Sequence, residues 1–122
     1  MNVKQLVRVM PNTPAKIGKG VVGYCVMNGS ETLAEAIEEL LKPMGVIVPV
    51  DEGEEFQSLT VACSSGIGFI FELMVYWQEW LKEYGFDEET SREMVTNTFL
   101  GASQLAVDDD ESLEELQKKV TS

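Results

Sequence analysis

Val7-Arg8-Val9-Met10-Pro11-Asn12-Thr13-Pro14 decides the fold of this chain. A β-branched run enters a turn in which each proline fixes its own φ and drives the preceding residue toward extended geometry, so a strand ends here in a kink. In open α/β sheets such strand ends are where ligands bind. Outward from this point, Leu6 to Met10, Val21 to Met27 and Val46 to Val50 read as strands. A helix over about 31–42 is predicted between the last two, with Ser30 as N-cap and Leu33, Ile37, Leu40 and Leu41 on one face. Pro43 and Gly45 end it. The order is β-β-α-β.

Asp51-Glu52-Gly53-Glu54-Glu55 reads as a solvated acidic link, after which the periodicity becomes helical and stays so. A short helix over about 54–62 is predicted to meet a junction at Cys63-Ser64-Ser65-Gly66, with a second helix over about 67–83. That second helix is apolar nearly all round (Ile67, Phe69, Ile70, Phe71, Leu73, Met74, Trp77 and Trp80 among others), so it must be covered on every side. Gly85 closes it and Asp87 caps a helix over about 88–107, where Met94, Val95, Thr98, Phe99, Ala102, Leu105 and Ala106 form the apolar stripe. After the loop Asp108-Asp109-Asp110-Glu111, Ser112 and Glu115 make a capping box for a last helix. Two domains are expected, 1–52 and 53–122.

The composition excludes several chemistries. The 122 residues are 44% hydrophobic and carry a net charge of -12 with no histidine, a surface that repels phosphate backbones and acidic headgroups. Nucleic-acid and membrane partners are therefore not expected, and metal is not expected because there is no histidine and Asp108 to Glu111 lacks the alternating oxygen ligands and central glycine of a calcium loop. Cys25 and Cys63 have no paired spacing, which fits a reducing, cytoplasmic setting. The apolar run broken at Glu72 and ending at Gln78 falls short of the ~20 residues of a membrane span. Gly18-Lys19-Gly20-Val21-Val22-Gly23 spells the dinucleotide fingerprint, yet a strand follows the glycines where the fingerprint needs a helix N-terminus, so it reads as a glycine-rich start of a strand. Asn28-Gly29-Ser30 is a turn. Cys63 has no histidine to act as its base, and no residue of the chain stands out as catalytic.

The chain resembles the pyrroline-5-carboxylate reductase family. The motif at residues 7–14 is similar to that family's V-R-x-M-P-N-T-P; Ala62-Cys63-Ser64-Ser65-Gly66 to Phe71 is similar to its A-x-S-G-S-G-P-A-Y-x-F. Thr98-Phe99-Leu100-Gly101-Ala102 and the closing Val120-Thr121-Ser122 match two further segments in the same order. The resemblance implies a central fragment of a two-domain enzyme: an α/β, β-β-α-β remnant of a Rossmann-type domain, then an all-α dimerisation domain of the 6-phosphogluconate-dehydrogenase C-terminal type. It implies a parent that passes a hydride from NADPH or NADH to a cyclic imine to give proline, with no cofactor bound by this chain alone, and a homodimer through helices 67–83 and 88–107. Met10, Pro11, Asn12 and Thr13 would lie beside the nicotinamide, with the Ser65 hydroxyl toward the carboxamide or substrate. Ser122 would help grip the substrate carboxylate, and Asp110 or Glu111 would face the ring nitrogen. Ile67 and Gly68 stand where the family has Pro-Ala and Phe69 where it has tyrosine, which would also suit a related reductase of another imine or ketone. A stand-alone dimerising module is a further alternative.

Overall fold

The computed structural model describes residues 3–121. Strands β1 (Leu6–Pro11), β2 (Gly20–Asn28) and β3 (Gly45–Pro49) form one sheet in that order, β1 antiparallel and β3 parallel to β2. Helix α1 (Glu31–Leu41) makes the crossover that a parallel pair requires. The alternation of strands and helix is that expected from the sequence. As the central strand, β2 holds most of the core, with Val22, Tyr24 and Cys25 buried, and reads as an almost unbroken apolar run.

The glycines of residues 18–23 serve this packing. Gly20 pairs with Gly45, whose φ of 136° and approach to the Gly20 carbonyl leave no room for a Cβ, which would fall 2.1 Å from that oxygen. A Cβ on Gly23 would strike the Leu59 side chain at 2.7 Å. The fingerprint-like spelling thus lies at the start of β2 and lets backbone and helix approach the strand closely. Ser30 begins α1 as expected, but its side chain makes no capping bond; its carbonyl accepts from Leu33 and Ala34.

The largest departure from the expected pattern is at the serine-rich junction. Helix α2 (Glu54–Leu59) does not break there: it widens into a π-helical turn over Thr60–Ser65 and continues as α3 (Gly66–Glu83). The Thr60 hydroxyl donates back to the Phe56 carbonyl at 2.8 Å, and the Gly66 N–H reaches the Val61 carbonyl five residues back. The resulting 30-residue helical run, Glu54–Glu83, is long and apolar enough to cross a membrane by length and composition, correcting the expectation that it would fall short. The core helix of a soluble protein can meet the same length and composition test.

Packing divides the chain into two compact units, one ending at Ile70 and one beginning at Phe71. In the second, α3 stops in a glycine cap: Gly85 has φ 97°, its N–H donates to the Lys82 carbonyl and the Phe86 N–H to that of Leu81. Asp87 caps α4 (Glu88–Asp108), accepting from the Thr90 N–H at 2.8 Å. The Trp77 and Phe99 rings meet edge-on with centroids 5.2 Å apart. Only Ser91 and Val95 of α4 are buried, so the covered stripe is narrower than the sequence pattern and leaves Met94 and Leu105 exposed. The capping box forms before α5 (Leu113–Thr121), Ser112 N–H to the Glu115 carboxylate at 3.0 Å and Glu115 N–H to the Ser112 hydroxyl at 3.3 Å.

Candidate functional site

At the end of β1 the kink turns Asn12 inward. Its backbone is extended, its side chain is buried, and both ends of its amide are used: Oδ1 accepts from the Val21 N–H at 2.9 Å and Nδ2 donates to the Cys63 carbonyl at 3.0 Å. A buried amide needs such partners, and here they lie on β2 and on the π-helical turn. The strand end and the serine-rich turn are thereby joined, although 51 residues separate them in the sequence.

Met10 is half-buried and Pro11 exposed at the end of β1, and Thr13 is exposed at the head of a short 3-10 turn, Thr13–Ile17. Ser65 is the last residue of the π-helical turn and is exposed. Neither the Thr13 nor the Ser65 hydroxyl is hydrogen-bonded to another described residue, so both stand available to a polar ligand. Of the residues proposed for the site from sequence, Met10, Pro11, Asn12, Thr13 and Ser65 fall in the first unit, tied together by the Asn12–Cys63 bond. Asp110 and Glu111 are exposed in the loop between α4 and α5, in the second unit. The Glu111 carboxylate pairs with Lys119 and holds the Lys119 ammonium above the usual lysine range. Ser122 lies outside the described residues.

Two arrangements near this site were not read from the sequence. The Arg8 guanidinium pairs with Glu52 and stacks on the Phe56 ring, 4.0 Å from its centroid, with Phe56 itself buried. Glu55 accepts from the Asp51 N–H at 2.9 Å. The acidic link is therefore not simply solvated, because two of its carboxylates hold the start of α2 in place. The signal in the sequence was the single arginine inside an apolar strand. On the other face, the Tyr24 hydroxyl donates to Glu38 at 2.6 Å; this bond, burial and the nearby carboxylate charge push the phenol up to about 12.

A nicotinamide fits part of this donor set. Unengaged hydroxyls and the backbone of a kinked strand end suit its carboxamide. The diphosphate of a dinucleotide finds no cradle at residues 18–23, where the glycines open a strand. No cluster of metal-ligating side chains occurs among the described residues.

Known proteins place the chain. Residues 53–122 match the family described as pyrroline-5-carboxylate reductase dimerisation. The pyrroline-5-carboxylate reductase of Haemophilus influenzae is 34% identical over 99% of this chain and 45% of its own length. The solved pyrroline-5-carboxylate reductase of Coxiella burnetii superposes with TM-score 0.89 at 27% identity, covering 97% of this chain and 44% of that one. That of Plasmodium falciparum, solved with NADP bound, shares the fold with TM-score 0.88 at 23% identity, over 97% of this chain and 47% of its own. The chain spans just under half the length of these relatives. With its three-stranded sheet, its helical region and a match over more than half its residues, the chain belongs to the pyrroline-5-carboxylate reductase family.

Proposed function

We propose that this chain forms the nicotinamide-facing strand end and the dimer helices of an NADPH- or NADH-dependent pyrroline-5-carboxylate reductase, acting in the cytoplasm to make proline. The observation that carries it is the Asn12–Cys63 bond, which gathers the Met10–Thr13 turn and the Ser65 turn into one polar edge. When bound, the cofactor supplies the hydride. Met10, Pro11 and Thr13 offer its ring a wall, and the Ser65 hydroxyl offers a hydrogen bond to its carboxamide or to the substrate. A protonated imine is already electrophilic, so such a site works by positioning two ligands and needs no nucleophile of its own. Ser122 contributes to the substrate carboxylate and Asp110 or Glu111 faces the ring nitrogen. Residues 1–52 belong to the cofactor domain and 53–122 to the helical domain.

The test is reconstitution. The chain alone should bind neither NADPH nor NADH in a calorimetric titration into the millimolar range. Joined to the remaining parts of a full-length member of the family, it should reduce pyrroline-5-carboxylate. Turnover of other cyclic imines only would favour a paralogous reductase. A joined protein inert toward all of them would leave a dimerising module, a reading favoured by the exposed aromatic residues of α3.

A further inference from the structure

We propose that Asn12 is a positioning residue, which sets where the Ser65 hydroxyl stands by holding the Cys63 carbonyl through its side-chain amide. The orientation of that amide is fixed by its neighbours. Val21 presents an N–H and can only face Oδ1, while Cys63 presents a carbonyl and can only face Nδ2. A flipped amide would set donor against donor and acceptor against acceptor. Strand β2 therefore aims the Asn12 side chain, and Asn12 in turn anchors the helix. It does so at the π-helical turn, where the backbone bonds run five residues back and the ladder is least regular. Ser65 follows the anchored carbonyl by two residues. Asn12 is buried with its oxygen and one amide proton committed within the protein, so it acts on a ligand through Ser65. This deepens the reductase reading and rests on it only for what Ser65 would touch.

The bond can be tested in the full chain without any cofactor. Asn12→Asp keeps an oxygen for the Val21 N–H, removes the donor to Cys63 and sets a carboxylate against the carbonyl. Asn12→Ala removes both bonds. Hydrogen exchange of the Val21 and Gly66 amides and maleimide labelling of Cys63 against the buried Cys25 are the readouts. In Asn12→Asp, Gly66 exchange and Cys63 labelling should each accelerate about tenfold, the factor corresponding to about 1.4 kcal/mol, a typical net hydrogen-bond contribution. Val21 exchange and Cys25 labelling should stay as in the wild type, and Asn12→Ala should release Val21 as well. Unchanged Gly66 and Cys63 would overturn the proposal. So would a uniform acceleration that includes Cys25, since Asn12 would then be a general fold residue. In the reconstituted reductase, activity lost by Asn12→Asp with the Gly66 amide still protected would overturn the positioning role while leaving the reductase reading intact. A loosened turn in a protein without reductase activity would support the role and count against the reading.

Discussion

The Arg8 guanidinium stands over the Phe56 ring, 4.0 Å from its centroid, while it pairs with Glu52, so a single strand residue secures both the end of the acidic link and the first turn of α2. The ion pair is half exposed and adds little by itself. The stacking on a buried ring is the larger part. Arg8→Ala should cost about 1 kcal/mol in urea unfolding, and Glu52→Gln less than about half of that. Arg8→Lys should recover little, because an ammonium cannot stack as a planar guanidinium does. Equal losses for Arg8→Ala and Glu52→Gln would assign the energy to the ion pair.

The Tyr24–Glu38 bond gives the protein an alkaline limit. The folded phenol titrates near 12 against 10.0 when unperturbed, so between those values the native state holds a proton that the unfolded chain has lost. Stability is fully present below pH 10 and falls as pH rises toward 12, by on the order of 2 kcal/mol. Tyr24→Phe should be less stable at neutral pH and lose this part of the alkaline slope. Denaturant midpoints measured across pH 9 to 12 would show it.

At the acid end the capping carboxylates act in the opposite sense. Hydrogen bonds from Thr90 hold Asp87 below its ordinary value, and those from Ser112 do the same for Glu115. Their contribution is present above the ordinary carboxylate range and disappears as pH falls through the lowered folded values. Asp87→Asn, which retains a capping oxygen, should flatten the acid loss of helical circular dichroism, whereas Asp87→Ala should lower helicity at neutral pH too.

Ser91 is fully buried in α4 and its hydroxyl has no hydrogen-bond partner among the described residues. Ser91→Ala removes that unmet group and gains helix propensity, so it should raise stability by about 1 kcal/mol. A loss of that size in thermal unfolding would mean that the hydroxyl has a partner in the assembled protein.

Phe71, Trp77 and Trp80 are 60%, 43% and 56% exposed, more large apolar surface than a soluble monomer ordinarily shows on one helix. Residues 53–122 match a family model described by dimerisation, so a second copy is the cover to test. The wild-type chain should scatter light as a dimer at tens of micromolar, and Trp80→Asp should shift it toward monomer. A wild-type monomer would remove this interface.

The strands, the crossover helix and the glycine and aspartate caps were legible because each rests on local signals: β-branched runs, turn residues, a capping box. Cys63-Ser64-Ser65-Gly66 was misread as a break because small polar residues mark junctions, whereas Thr60 and Asn12 supply the bonds that let the helix widen and continue. The Arg8–Phe56 stack depends on residues 48 positions apart, beyond any periodicity. The motif at 7–14 marked the end of β1, but no local pattern could show that Asn12 spends its amide on the protein.

Because α3 starts in one compact unit and ends in the other, the boundary at residues 70 and 71 falls inside a helix. A graft that joined a non-helical segment there would cut a hydrogen-bonded ladder, with carbonyls on one side and N–H groups on the other losing their partners together. Asp51-Glu52-Gly53, irregular in backbone and closed by a glycine at φ 108°, offers a seam that cuts no ladder. What is exchangeable in this protein is therefore larger than what is compact: the helical half travels with its π-helical turn, and any host receiving it must bring its own asparagine.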